Sequence, residues 1–215
     1  MQMNNMDIAL ALILLLGVPA RALWRERSRR SRSRTARYGE AILTIAACLA
    51  LLAFQWVAHD RSAAALGLVV PLRWTSWVYL SVAAALIGGL WIAVRRRPAG
   101  PAHGGDSPLP QTAGERQLFI VFGLVAGAGW ELLYRGFLLW VLTPLAGSVG
   151  AVCVAATAYG VAHGVKDRRK LAGSLLSAFV FTIAYALTGD LWWLIVIHAG
   201  LPMLALAAPP AQAST

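Results

Sequence analysis

The sequence predicts an all-α fold: a polytopic transmembrane helical bundle of about seven to eight spans. Three observations predict it. Apolar residues fill 59% of the 215 positions, with a mean hydropathy of +0.64. They gather into stretches near the ~20 residues that cross a bilayer as helix. Charged residues are only 13% of the chain, and nearly all lie between those stretches.

Hydropathy places the spans at 6–24, 41–58, 74–94, 117–142, 147–164, 171–188 and 191–208. The first, around Ile8–Val18, has the length of a secretory leader. No basic residue precedes it and arginine-rich sequence follows at once, so it reads as a retained helix. Three regions follow along the chain. Residues 1–114 hold N-terminal helices, basic loops and a Pro/Gly-rich linker (97–114) that contains His103. Residues 115–208 form the core region, and 209–215 a tail. Cys48 and Cys153 lie inside apolar stretches and read as small packing residues, without a disulfide framework or a metal motif. His59, beside Asp60 and Arg61 at a span end, reads as interfacial.

The formal net charge of +10 does not point to nucleic acid, because the basic residues are confined to loops. Residues 21–40, 95–116 and 164–170 carry sixteen Lys and Arg; the alternate loops carry only Arg61 and Arg73. This asymmetry predicts an integral, multi-pass membrane protein, and the membrane expected is a bacterial plasma membrane. The N-terminus lies outside, and the basic loops face the cytoplasm. The run RERSRRSRSR (25–34) reads as part of that topology signal.

Charge inside a span is the exception that needs explaining. Glu131 and Arg135 sit within FIVFGLVAGAGWELLYRGFLLWVL (119–142), and the interior charge is read as confined to this pair. A carboxylate at mid-bilayer costs roughly 2.5–3.5 kcal/mol on insertion scales, so it is kept only if paired, protonated or used. The i,i+4 spacing puts both on one helix face. Gly123, Ala126, Gly127, Ala128 and Gly129 lie just upstream, and small residues let helices approach closely. The helix is therefore expected at the centre of the bundle. Two histidines follow in later stretches: His163 in YGVAH (159–163), where Tyr159 shares its face, and His198 in HAGLP (198–202). The residues alone leave two readings open, a structural ion pair or a hydrolytic site of one carboxylate and two imidazoles.

The order and spacing of WELLYR (130–135), YGVAH and HAGLP resemble the CPBP family of intramembrane proteases. That family includes CAAX prenyl endopeptidases of the Rce type and bacteriocin-processing or immunity proteins. The resemblance covers roughly residues 115–208. It implies an endopeptidase acting on a membrane-associated peptide or protein, with Glu131, His163, His198 and Arg135 at the site. Glu131 would be the base, and His163 and His198 would position water and the oxyanion. A divalent metal such as zinc is a candidate cofactor, with Glu131, His163 and His198 as candidate ligands. The partners expected are the lipid bilayer and the substrate peptide, with no nucleic acid.

Two positions depart from the family pattern. Trp130 stands where the family has its first glutamate, and Pro202 where it has a polar residue that helps stabilise the oxyanion. They define the alternative: a catalytically inactive relative acting as a membrane scaffold or immunity-type protein. A proton-coupled carrier is a more distant rival, as intramembrane Glu, Arg and His also build relays. Depth sets a further question. Glu131 lies about 22 Å of helix beyond Arg116, whereas His163 is three residues from the basic loop at Lys166.

Overall fold

A computed structural model describes residues 3–28, 33–70, 72–97 and 109–207. Arg29, Arg30 and Arg32 of the basic run, His103 with most of the linker, and the tail 209–215 lie outside the described residues. Among the described residues every regular element is helical. The elements are α1 (Asn5–Leu12), α2 (Val18–Arg27), α3 (Arg34–Ala58), α4 (Trp74–Arg95), α5 (Ala113–Trp130), α6 (Leu139–Ala162), α7 (Arg168–Thr188) and α8 (Trp192–Ala207). A π-helical turn, Ile13–Gly17, joins α1 to α2, and a second, Glu131–Leu138, joins α5 to α6.

Five helical segments are long and apolar enough to cross a membrane: Asn5–Arg27, Arg34–Ala58, Trp74–Arg95, Ala113–Ala162 and Arg168–Thr188. Trp192–Ala207 is apolar but shorter. Large apolar side chains such as Val57, Trp74 and Leu187 are exposed on their outer faces. A surface of that kind suits hydrocarbon. The chain is an integral membrane protein, and its helices are built for it.

The segment Ala113–Ala162 covers two of the expected stretches, 117–142 and 147–164, because it reverses partway. Gly147 has φ 68° and ψ 169°, outside the helical region and favourable to glycine. Arg135 and Tyr159, equally far on either side of Gly147, are in contact, with the guanidinium carbon 4.2 Å from the ring centroid. The two limbs of this segment therefore lie side by side.

Local signals start the helices. Asn4 caps α1 in a capping box with Asp7, and Thr112 caps α5 in one with Glu115. Asp167 accepts from the backbone N–H groups of Arg169 and Lys170 at the start of α7. At the basic end α3 and α5 run together: Arg34 pairs with Glu115 at 3.7 Å, and Tyr38 packs on Phe119 and Phe122. At its other end α3 meets the start of α6, where Trp56 packs on Trp140 with centroids 4.9 Å apart.

One expectation is corrected here. Interior charge is not confined to Glu131 and Arg135, since Asp7 is fully buried as well. Both its carboxylate oxygens accept from Arg61, each at 2.7 Å, and Arg61 lies over the rings of Trp56 and Trp140. A bidentate, hydrogen-bonded guanidinium neutralises the acid, so it can be enclosed. The partners are far apart in sequence, and no local spacing announces them. His59, read as interfacial, is exposed beside this cluster and accepts from the Asn4 amide.

The fold sets α5 and α8 unusually close. A Cβ at Gly127 would stand 2.5 Å from the backbone nitrogen of Ala199. Gly127 is one turn before Glu131, and Ala199 directly follows His198. The small residue therefore determines whether those two side chains can meet.

Candidate functional site

Glu131 opens the π-helical turn Glu131–Leu138, and all of that turn except Leu132 is buried. Such turns are rare and recur at functional sites. The turn is anchored from outside by Tyr134, whose hydroxyl donates to the Leu14 carbonyl at 2.8 Å, inside the other π turn. The expectation that this helix lies at the centre of the bundle agrees with this burial.

Glu131 and Arg135 have no exposed side-chain area. Arg135 Nη1 donates to Glu131 Oε1 at 3.1 Å. The same oxygen lies 2.7 Å from His198 Nδ1. A carboxylate can only accept, so Nδ1 carries the proton, and in the neutral ring Nε2 keeps its lone pair. The Tyr159 hydroxyl lies 3.1 Å from that Nε2 and donates to it. The result is a chain of four groups from three elements: Arg135 to Glu131, Glu131 to His198, His198 to Tyr159. Glu131 Oε2, Arg135 Nε and Arg135 Nη2 are buried without a protein partner. The pair therefore holds hydrogen-bonding capacity that the described residues do not use.

Of the four expected site residues, Glu131, Arg135 and His198 come together and His163 stays apart. His163 caps the end of α6, is exposed, and donates from Nδ1 to the Tyr159 carbonyl at 3.0 Å. Its ring packs on that of Tyr159, with centroids 4.5 Å apart. The depth question is thereby answered. His163 sits a turn nearer the basic end, and Tyr159, one turn deeper on the same face, reaches the carboxylate–imidazole pair.

Tyr159 is the site residue that sequence reasoning undervalued. Its signal was a phenol in an otherwise apolar helix, because a buried tyrosine hydroxyl usually finds a partner. Glu26, at the end of α2, also went unnoticed. Its carboxylate accepts from the backbone N–H of Val165 at 3.1 Å and of Lys166 at 3.4 Å, holding the loop after His163. Trp130 is partly buried against Tyr134, with centroids 5.7 Å apart, and supplies packing where a carboxylate would supply a base. Pro202 lies inside α8, where it leaves the His198 carbonyl without its usual helical donor.

The donor set does not fit a three-ligand metal centre in this arrangement. Among the described residues no group of three or more His, Cys, Asp and Glu stands together in a way that could hold a metal ion. Both nitrogens of His198 are engaged by protein groups, and the His163 ring packs on Tyr159.

These elements define a helical membrane protein with a carboxylate–imidazole pair whose carboxylate is buried. Residues 113–204 match the family model described as type II CAAX prenyl endopeptidase Rce1-like, a protease family. Comparison with curated proteins and with solved structures finds no match.

Proposed function

We propose that this protein is an endopeptidase that hydrolyses a peptide bond of a membrane-associated peptide or protein. The observation that carries the reading is the 2.7 Å contact between Glu131 Oε1 and His198 Nδ1 in a protease-family region. A carboxylate on Nδ1 fixes the imidazole tautomer and stabilises the imidazolium that forms when Nε2 takes a proton. His198 is the base in this reading. Glu131 suits the role less well, because its Oε1 already accepts two donors and its side chain is fully enclosed. His198 keeps 18% of its side chain exposed, enough for a substrate to approach.

The steps balance as a simple hydrolysis. Water gives a proton to His198 Nε2 while its oxygen bonds to the scissile carbonyl carbon. The tetrahedral intermediate then collapses. The C–N bond breaks, and the imidazolium returns the proton to the departing nitrogen. Arg135 holds Glu131 in place by donating to its Oε1. His163 borders the site on its exposed side and orients the incoming peptide.

The test uses the full chain in lipid vesicles with a transmembrane reporter peptide. The wild type is expected to cleave it, and His198→Ala to lose at least about 10²-fold in rate, the usual scale for a general base. Cleavage unchanged in His198→Ala would sink the assignment. A second reading, a catalytically inactive scaffold, is favoured by Trp130, which fills with an indole the place of a second acid. Folded wild type that binds the peptide without cutting it would decide for that reading.

The reading extends to topology. We place the N-terminus outside and the loops 25–40, 95–116 and 165–170 in the cytoplasm, with seven passes, on the sixteen-to-two charge split. Reporter fusions at Gly39 and Gly104 are expected to give a cytoplasmic signal. An outside signal from either overturns the assignment.

A further inference from the structure

We infer that Tyr159 is a catalytic residue: its hydroxyl, resting on His198 Nε2, turns during the reaction to donate a hydrogen bond to the carbonyl oxygen under attack. The inference rests on the endopeptidase reading above and assigns a role that reading leaves empty, the donor facing the developing oxyanion.

The direction of every hydrogen bond in the chain follows from its fixed ends. Arg135 can only donate and the Glu131 carboxylate can only accept, so His198 must present its Nδ1 proton to Glu131. In the neutral ring Nε2 is then an acceptor, and the Tyr159 hydroxyl spends its proton there at 3.1 Å. That lone pair is the one a nucleophilic water needs. Water and phenol compete for a single acceptor, and when water takes it the phenol proton must find another. The peptide carbonyl that this same water attacks supplies that acceptor. Its oxygen gains negative charge as the bond forms, so the donated bond strengthens on the way to the transition state. An interaction of that kind speeds the chemical step, because it is weaker in the ground state.

The surroundings hold the phenol for this use. The Arg135 guanidinium carbon lies 4.2 Å from the ring centroid, and a cation on the ring face polarises the hydroxyl toward donation. Tyr134 and His163 pack edge-on, with centroids 5.0 and 4.5 Å away. The Tyr159 backbone carbonyl is fixed by His163 Nδ1 at 3.0 Å. The ring is thus held in place while its O–H can still rotate. Position 202, one turn after His198, is proline and offers no donor of its own.

The experiment compares wild type, Tyr159→Phe and a full chain carrying a fluorinated tyrosine at 159. It uses the vesicle cleavage assay together with binding of a peptidyl phosphonate, which carries the tetrahedral oxyanion. Tyr159→Phe is expected to lower kcat by about 10²–10³, the scale of one lost oxyanion donor. KM should stay within about twofold, and phosphonate affinity should fall in step with kcat. The fluorinated phenol, of nearly the same size, should alter kcat without altering the melting temperature, and it serves if the phenylalanine variant fails to fold. An unchanged kcat in Tyr159→Phe, or insensitivity to fluorination, overturns the inference alone. A faster Tyr159→Phe also overturns it and makes the phenol a plug on the base. A wild type that cleaves nothing overturns the inference and the reading beneath it together.

Discussion

Glu131→Gln is expected to leave the bundle folded and to lower kcat by about 10³–10⁴. A comparable acid-to-amide change beside the histidine of a serine protease costs about 10⁴ while leaving the geometry intact. The physical cause is the tautomer. Glu131 Oε1 accepts both from Arg135 at 3.1 Å and from His198 at 2.7 Å. A glutamine has one accepting oxygen and a donating NH₂. If the oxygen stays on Arg135, the amide presents a donor to His198 Nδ1. The ring then carries its proton on Nε2, where it clashes with the Tyr159 O–H and cannot accept from water. If the oxygen turns to His198, Arg135 faces a second donor. Either way the imidazolium of the transition state loses a neighbouring negative charge. The check is kcat for a membrane peptide, with tryptophan fluorescence and melting temperature as controls for folding. Full activity in a folded Glu131→Gln would remove this residue from the chemistry.

The fold was legible where the signal is local. The capping boxes at Asn4–Asp7 and Thr112–Glu115 fit a pattern that can be read directly, and the apolar stretches follow from transfer free energy alone. Small residues from Gly123 to Gly129 pointed to close packing, and Gly127 does lie against Ala199. What escaped is information that depends on which faces meet. Asp7 was enclosed by Arg61 from the segment after α3, beyond the reach of any helical period. The π turn at Glu131–Leu138 has no composition that sets it apart from ordinary helix.

The candidate cluster was legible in part of its membership and less so in its wiring. Glu131, Arg135 and His198 stood out because charge and imidazole are costly in hydrocarbon, and the structure brings those three together. His163 stood out for the same reason, yet it ends its helix and stays exposed. Tyr159 did not stand out, because a phenol is cheap to bury and its ring reads as packing. Hydropathy measures the cost of burying a group and gives no information on side-chain reach. A tyrosine one turn deeper than a histidine on the same helix can make the contact that the histidine cannot.

Arg135→Met is expected to be the most destabilising single change at the site, by about 3–5 kcal/mol, the range seen when one partner of a buried ion pair is removed. Both side chains of the pair are fully enclosed, so neither can recruit water once its partner is gone. Methionine fills much of the volume, and the loss therefore reports charge and hydrogen bonding more than a cavity. Glu131 would keep only His198 as a donor, and the cation over the Tyr159 ring would go as well. The double variant Glu131→Gln, Arg135→Met supplies the sign test. With the uncompensated charge removed, it should recover part of the stability that Arg135→Met lost, because much of that cost is a carboxylate left alone in a low dielectric. Unfolding of wild type, both single variants and the double variant in the same detergent gives the coupling energy directly. An Arg135→Met protein within about 1 kcal/mol of wild type would mean that Glu131 is protonated or otherwise neutralised at rest. The tautomer assigned to His198, and with it the proton path through Nε2, would then have to be drawn again.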